Sequence, residues 1–302
     1  MTATSTGDAR PHLSSARIRE LVSYPDAVVA LRSAFAAGPS HIERVQRSVA
    51  EGDFLLMGST LEASDGDGSN HAVAGAKLVM VQPRNVGSGR PLISGTYVLF
   101  DADRGEPIAT MDGAALTNLR TPAISVLAAQ MLGRPGASRC AIVGRGAQGV
   151  AHEAAFRACL PSITTYVYVP KGETIPVADH VVGATSTIAP FLSMDMIGSG
   201  THVTLVGAYR PDMAEVYPDV VIGSDVYVDE RVAASVEAGD LIQAASAGWS
   251  WDRVAGDLTD LSRGEVSRSS DRAVTLFKSV GLAVEDLVIA RLAAHRAGLF
   301  AL

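Results

Sequence analysis

The stretch Arg139-Cys-Ala-Ile-Val-Gly-Arg-Gly-Ala-Gln-Gly149 decides the fold. A short apolar run leads into three glycines with the spacing G-x-G-x-x-G, and an amphipathic segment follows. In a dinucleotide-binding turn, the first glycine allows the tight bend, the second lets the backbone approach a pyrophosphate, and the third lets helix and strand pack closely. The pattern predicts a strand, a phosphate-binding turn and a helix; the alternative is a glycine-rich turn that binds nothing. The expected cofactor contacts are Gly144, Gly146, Ala147 and Gln148.

The chain on either side of this turn has two different patterns. After the turn, short β-branched runs at 164–169, 180–184, 201–207 and 226–228 alternate with helix-like segments. This alternation predicts an α/β fold with a Rossmann-like, doubly wound parallel sheet. Before the turn, two helices and then β-like runs at 45–49, 54–57, 72–81 and 96–100 predict a separate α+β region. An Ala-rich helix is expected over 122–132, with Thr121 as its N-cap and Pro122 at its first position.

Length and composition exclude several classes of protein. The 302 residues favour two domains, and 32 acidic against 25 basic side chains give a net charge of -7, which argues against a nucleic-acid partner. No apolar run is long enough to span a membrane, and residues 1–12 show no secretory signal, so we expect a cytoplasmic protein. The two cysteines rule out a disulfide framework, and the histidines show no metal-binding spacing.

The end of the second expected strand bears on the choice of dinucleotide. A carboxylate usually stands there and binds the adenosine ribose of NAD, but this chain has Pro170 and Lys171. Lys171 is suited to a 2′-phosphate, which favours NADP over NAD. The alternative is a solvated loop lysine.

Several motifs resemble those of the ornithine cyclodeaminase/μ-crystallin family, over residues 13 to 298. They are Gly75-Ala-Lys77 with Pro83-Arg-Asn85, Asp112-Gly-Ala-Ala-Leu-Thr-Asn-Leu-Arg-Thr121, the glycine turn, Ala184-Thr-Ser-Thr187, Gly207-Ala-Tyr-Arg-Pro211, Phe277-Lys-Ser-Val-Gly281 and Glu285-Asp286. The resemblance implies a homodimer that converts amino acids or cyclic imines with NAD(P). It also implies a substrate-binding and dimerisation domain (1–115 and 282–302) and a Rossmann-like domain (116–281).

The resemblance assigns roles that the chemistry of these residues supports. Arg120 and Arg47 would bind the substrate carboxylate, because the planar guanidinium matches a carboxylate in two hydrogen bonds. Arg44, three residues from Arg47, is an alternative. Lys77 lies in an apolar run, where desolvation lowers the pKa of an amine, so it is the expected catalytic residue near the substrate nitrogen. Further cofactor contacts are implied at Thr117, Thr185, Gly207, Ser279 and Gly281.

Two departures from the family qualify these expectations. Cyclodeaminases carry an Asp where this chain has Tyr209, which favours the branch of imine reductases and amino-acid dehydrogenases, with Tyr209 lining the substrate pocket. In addition, only residues 170–177 separate the strand ending at Val169 from Ala178, too few for a helical crossover. The sheet is therefore expected to be truncated after its second strand, which would lower, move or abolish cofactor affinity.

Three functions follow from this sequence. The first is an NAD(P)-dependent oxidoreductase that transfers hydride at the α-carbon of a small amino or imino acid. The second is a cyclodeaminase-like ammonia lyase that recycles bound NAD. The third is a non-catalytic dimeric binding protein that has lost its cofactor.

Overall fold

The computed structural model describes residues 10–39, 42–62, 71–85 and 87–300. Two sheets organise these residues. The first has the strand order β1-β6-β5-β4-β3-β2, in which β2 to β6 are antiparallel and β1 runs parallel to β6. Its strands are β1 (His12–Leu13), β2 (Val45–Val49), β3 (Gly52–Leu61), β4 (Val73–Val81), β5 (Ile93–Asp101) and β6 (Glu106–Asp112).

The second sheet is parallel throughout and confirms the expected Rossmann-like fold. Its strands are β7 (Arg139–Val143), β8 (Thr165–Val169), β9 (His180–Gly183), β10 (His202–Leu205), β11 (Asp225–Val228), β12 (Val254–Asp257) and β13 (Thr275–Lys278). They follow the order β12-β11-β13-β10-β9-β7-β8. The helices are α1 (Ser15–Leu21), α2 (Tyr24–Ala37), α3 (Gly113–Leu132), α4 (Ala147–Cys159), α5 (Pro218–Ile222), α6 (Arg231–Glu237), α7 (Gly239–Ser246), α8 (Leu258–Arg263) and α9 (Ala283–Arg296).

The second sheet ends at β8, as the short connection predicted. Residues 170–179 run from β8 to β9 without forming a helix or a strand. β9 then pairs with the other side of β7, so β8 is left as the edge strand. The unit that would extend the sheet beyond β8 is therefore missing on the side where a dinucleotide places its adenosine.

The prediction that a helix begins at Pro122 was wrong. α3 starts nine residues before Pro122, at Gly113, where Asp112 caps it by accepting a hydrogen bond from the Ala115 N–H at 3.0 Å. Pro122 lies inside the helix and cannot donate to the carbonyl four residues before it, that of Asn118. The Tyr24 hydroxyl donates to this carbonyl instead, at 3.3 Å. Because of this substitute donor, α3 continues through the proline.

α3 and α9 pack on the first sheet and connect it to the rest of the protein. α3 contacts both sheets, and α9 packs on β3, β4 and β5. The domain boundary at residue 115 falls within the continuous α3 and stays a prediction. Among the described residues, no helix is long and apolar enough to cross a membrane.

Candidate active site

The glycine turn between β7 and α4 has the geometry of a phosphate-binding loop. Gly144 has φ +103°, a conformation that favours glycine, and a Cβ on Gly149 would collide with the Gly144 carbonyl oxygen. By contrast, a Cβ on Gly146 would have no described atom within 4 Å, so the middle of the turn is open. No side chain in the described part of the chain caps α4 at Gly146, which leaves its first N–H groups for an anion. These features fit the pyrophosphate of a dinucleotide.

A second group of candidate residues forms a buried ionic cluster, here called the Lys77 cluster, of Lys77, Arg120, Glu285 and Asp286. Lys77 Nζ, on β4, donates to Asp286 Oδ2 at 2.7 Å and to Thr117 Oγ1 at 3.1 Å. Arg120, on α3, donates to Glu285 Oε2 at 2.7 Å. Both carboxylates lie in the first turn of α9 and are fully buried. The cluster pairs two positive with two negative groups, as buried charges require.

The Lys77 cluster has spare polar atoms. Arg120 Nε, Glu285 Oε1 and Asp286 Oδ1 are buried and have no hydrogen-bond partner among the described residues. Buried polar atoms are nearly always satisfied, so unpaired ones indicate a place for water or a polar ligand. Arg120 Nε lies 3.8 Å from Asp286 Oδ1, beyond hydrogen-bond distance, so Arg120 retains an N–H group for an anionic ligand beside Glu285.

Two members of the cluster titrate near neutral pH. Burial lowers the pKa of Lys77 from 10.5 to about 8, and the charge of Asp286 opposes this shift. Burial raises the pKa of Glu285 to about 7, against the effect of Arg120. A group whose pKa is close to the working pH exchanges protons efficiently. Lys77 thus has the lowered pKa that its apolar strand predicted, and its catalytic role stays a prediction.

The first sheet places Arg44, and not Arg47, near the cluster. Arg47 pairs with Phe54, which faces Met80 on β4, so Arg47 and Lys77 lie on opposite faces of the sheet. Its exposed guanidinium donates to the neighbouring Gln46 carbonyl at 2.8 Å. The substrate-binding role expected of Arg47 is therefore incompatible with its strand register.

Arg44 precedes β2, so the alternation of side chains along a strand does not determine which side of the sheet it faces. Its Nη2 donates to the carbonyls of Val280 and Gly281, at 3.0 and 2.8 Å, and lies 2.6 Å from Glu237 Oε2. Arg120 closely approaches the same turn, since a Cβ on Gly281 would collide with its guanidinium. The two arginines thus converge on Gly281. Arg44, the alternative to Arg47, therefore has the better geometry for binding the substrate carboxylate.

The turn after β13, residues 279–281, is held by a buried acid. Asp229 Oδ2, at the end of β11, accepts hydrogen bonds from the N–H groups of Val280 and Gly281, at 2.7 and 2.8 Å. Ser279 Oγ also accepts from the Gly281 N–H, at 3.2 Å. Gly281 has φ +81°, which this turn requires. Ser279 and Gly281 therefore border the Lys77 cluster, where cofactor contacts were expected.

α3 joins the ionic cluster to the phosphate-binding turn. Arg120 belongs to the cluster and Thr117 accepts a hydrogen bond from Lys77. Asn118 Oδ1, between them, accepts a hydrogen bond from Gln148 Nε2 at 2.8 Å. Gln148 belongs to the first turn of α4. Two sites that are far apart in the sequence are adjacent in the fold.

The remaining expected residues lie at the carboxyl ends of the parallel strands. Thr185 and Gly207 follow the neighbouring strands β9 and β10 and share hydrogen bonds to Glu215. Tyr209 is partly buried beside Arg210, whose Nη1 lies 3.5 Å from Asp53 Oδ2 on β3, so this loop reaches the first sheet. Burial raises the pKa of Tyr209, which makes it unsuitable as a base.

Lys171 lies just beyond the end of β8. Its Nζ donates to Thr187 Oγ1 at 3.2 Å. Within β8, the ring of Tyr168 lies under the guanidinium of Arg145, whose Cζ is 5.2 Å from the ring centre. The end of β8 therefore presents positive side chains and an aromatic ring. Within the described part of the chain, no group of three or more His, Cys, Asp or Glu side chains is placed to hold a metal.

Four acids that shape this site were not predicted from their own sequence positions. Glu285 and Asp286 entered only through a motif of the family, and Asp229 and Glu215 were not considered. Each is an acid inside or directly beside an apolar segment, and all four are buried in the structure. A charge in such a position requires partners and so signals a built site.

Comparison with known proteins is consistent with this geometry. The model of the ornithine cyclodeaminase/mu-crystallin family matches residues 13–175 and 163–298, two segments that overlap around β8 and the short connection after it. The chain is 33% identical to Delta(1)-pyrroline-2-carboxylate reductase of Bacillus cereus, over 74% of this chain and 77% of the relative. It is 31% identical to ornithine cyclodeaminase of Agrobacterium fabrum, over 72% and 68% of the two chains.

Among solved structures, the fold is similar to that of Thermococcus litoralis Delta(1)-pyrroline-2-carboxylate reductase in complex with NADH and L-proline. The TM-score is 0.85 and the identity 26%, with 95% of this chain and 97% of the other covered.

Proposed function

This chain belongs to the ornithine cyclodeaminase/mu-crystallin family, and we propose from that premise that it is an NAD(P)-dependent oxidoreductase that reduces a small imino acid, or oxidises the corresponding amino acid, at the α-carbon. One observation carries the proposal: α3 joins the buried Lys77 cluster to a dinucleotide-type turn. Delta(1)-pyrroline-2-carboxylate reductases among the relatives support the imine-reducing direction.

The residues present fit the dinucleotide. The open middle of the turn at Gly146 and the uncapped start of α4 would hold its pyrophosphate, with Gly144, Ala147 and Gln148. When bound, the nicotinamide supplies or accepts the hydride. The residues that would contact this end of the cofactor are Thr117, Thr185, Gly207, Ser279 and Gly281.

The chain's own residues then orient the substrate and move its proton. Arg120, with Arg44 beside the same turn, binds the carboxylate and thereby orients the α-carbon. Glu285 competes with that carboxylate for Arg120, and its pKa of about 7 lets it become neutral and release the guanidinium. Lys77 holds a proton at Nζ and delivers it to the substrate nitrogen during reduction, while Asp286 keeps the amine protonated. Tyr209, on the loop that reaches β3, would line the pocket.

For the nucleotide, we propose a preference for NADP over NAD. Lys171 stands where an acid would bind a ribose diol, and Arg145 adds a second positive charge near the end of β8. Titration calorimetry with NADPH and NADH tests this. We expect tighter binding of NADPH, and a Lys171→Ala variant that loses the difference. Equal affinities in the unaltered protein would refute the preference.

We also propose that the protein is a homodimer. It would form through the face of the first sheet that is opposite Lys77, here called the outer face. By register, this face carries Val45, Val49, Phe54, Leu56 and Leu78, each 37 to 48% exposed in the single chain. A face with this many exposed apolar side chains around one arginine, Arg47, is typical of a subunit interface. A second copy presents the same face and can bury it about a two-fold axis. Light scattering should give a dimer, and a Leu56→Glu/Leu78→Glu variant should give a monomer.

The activity is tested by the loss of 340 nm absorbance with NADPH or NADH and 1-pyrroline-2-carboxylate, or pyruvate with ammonia. Substrate-dependent oxidation of the cofactor supports the reductase. Release of ammonia from ornithine without net cofactor oxidation would indicate the lyase instead. If neither dinucleotide binds below millimolar concentration, both enzymatic functions fail and a non-catalytic binding protein is left.

A further inference from the structure

A buried carboxylate, that of Glu215, joins the two loops that follow β9 and β10. Its Oε1 accepts hydrogen bonds from the N–H and the hydroxyl of Thr185, at 2.9 and 2.8 Å. Its Oε2 accepts from the N–H of Gly207 at 2.7 Å. Through these three hydrogen bonds, one side chain fixes both loops relative to each other.

The surrounding backbone leaves room for this carboxylate and for little else. A Cβ on Gly207 would lie 2.6 Å from Glu215 Cδ, and one on Gly183 would lie 3.2 Å from it. Glu215 itself has no exposed surface. The glycines at the ends of β9 and β10 thus leave space for the acid. Loops that only connected two elements would not need a buried acid at this position.

Two more buried charges hold Glu215 in place. Asp240 Oδ1 accepts hydrogen bonds from the N–H groups of Glu215 and Val216, at 2.6 and 3.1 Å. Lys278 Nζ lies 3.1 Å from Asp240 Oδ2, and both side chains are completely buried. Lys278 ends β13 and directly precedes Ser279. The chain of charges therefore ties together the ends of β9, β10 and β13, the strands whose following residues border the active site.

We propose that Glu215 is a positioning residue for the dinucleotide: it holds Thr185 and Gly207 in the arrangement that receives the nicotinamide half of the cofactor. This inference rests on the proposed function. The truncated sheet gives it weight, because the missing unit beyond β8 removes contacts on the adenosine side. More of the binding free energy must then come from β7, β9, β10 and β13, and loops that are already ordered lose less entropy on binding.

The test compares two ligands in Glu215→Gln. The amide has the size of the acid but must direct its NH2 at the N–H of either Gly207 or Thr185, so one loop loses its acceptor. We expect the Kd of NADH or NADPH, whichever binds the unaltered protein, to rise about tenfold or more. The Kd of ADP-ribose, which lacks nicotinamide and relies on the β7 turn, should change less than threefold. The KM for the cofactor should rise more than the KM for the imino acid.

A matched control is Asp257→Asn. Asp257 also ends a strand, β12, and its carboxylate also accepts hydrogen bonds from two backbone N–H groups, those of Thr259 and Asp260 at 2.9 and 3.1 Å. It lies at the edge of the second sheet that is opposite β8. This variant should bind both ligands normally. If Glu215→Gln does not fold, Glu215→Asp, which is too short to reach both loops, replaces it with the same expected split.

Two outcomes overturn the inference: unchanged binding of both ligands, or an equal loss of NAD(P)H and ADP-ribose affinity in the Glu215 variants. Failure of the proposed function is distinguishable, because the unaltered protein would then bind neither dinucleotide.

Discussion

Lys77 Nζ lies 2.7 Å from Asp286 Oδ2, and both side chains are buried between the first sheet and α9. The pair sets how readily the amine gives up its proton. Burial alone would move the pKa of Lys77 further down than about 8, and the negative charge of Asp286 opposes that change. The reaction's dependence on pH should therefore report on this contact.

The rate of reduction should fall as the pH rises through about 8, because Lys77 then loses the proton it delivers. Asp286→Asn removes the opposing charge, so the alkaline limb of the kcat/KM profile should move to lower pH by about one unit or more. Arg157→Gln, on the exposed face of α4, serves as the control and should leave the limb in place. An unchanged limb in Asp286→Asn would show that another group controls it.

Arg120→Ala should remove the carboxylate-binding group and reduce kcat/KM by about a hundredfold or more, since a charged, bidentate contact is lost. It should also lower the free energy of unfolding by about 3 kcal/mol, because Glu285 is left buried without its partner. The double variant Arg120→Ala/Glu285→Gln should recover much of that stability but none of the activity. Denaturant unfolding and steady-state kinetics separate the two effects, and full activity in Arg120→Ala would end the assignment.

Arg44→Ala and Arg47→Ala form a second comparison. Arg44 contacts the 280–281 turn, whereas Arg47 lies on the opposite face of the sheet from Lys77. We expect the KM for the imino acid to rise about tenfold in Arg44→Ala. Arg47→Ala should keep its KM within about twofold. The reverse result would restore the role that the sequence first suggested for Arg47.

Acid should destabilise the protein through buried neutral histidines. Burial lowers the pKa of His152 and of His180 to about 4 from 6.5. Because both folded-state values are depressed, the unfolded chain binds more protons between pH 6.5 and 4. Stability is thus complete above about pH 6.5 and falls below it by about 1.4 kcal/mol per pH unit for each histidine.

Urea unfolding at pH 7, 6 and 5 measures this loss. His180→Gln should show a shallower decline than the unaltered protein, by about 2 kcal/mol between pH 6.5 and 5. The same slope in both proteins would mean that His180 does not carry the effect.

The sequence predicted local features well where one residue type has one physical use. The glycines of the 144–149 turn, the apolar strand around Lys77 and the short connection after Val169 each pointed to what the structure contains. Features that depend on distant partners were not predictable. Pro122 signals a helix start in any sequence, and only the Tyr24 hydroxyl, nearly a hundred residues away, allows α3 to pass through it.

Arg44 and Arg47 illustrate the same limit within the site. Both are arginines next to a β-like run, and the choice between them depends on which residue of β2 pairs with Phe54. That register is set by β3 and β4, so three strands had to be placed before the side of the sheet was known. Glu215 is the extreme case, since its role exists only when three strand ends meet.

The missing unit beyond β8 also creates a hazard of self-association. An unpaired strand edge is a template for pairing with another chain, and that of β8 carries two aromatic side chains, Tyr166 and Tyr168. A guanidinium covers each ring: Arg157 lies 4.1 Å from the ring centre of Tyr166, and Arg145 lies 5.2 Å from that of Tyr168. Charged side chains on an edge strand disfavour its pairing with another chain, so these two arginines lower the tendency of the shortened sheet to aggregate edge to edge.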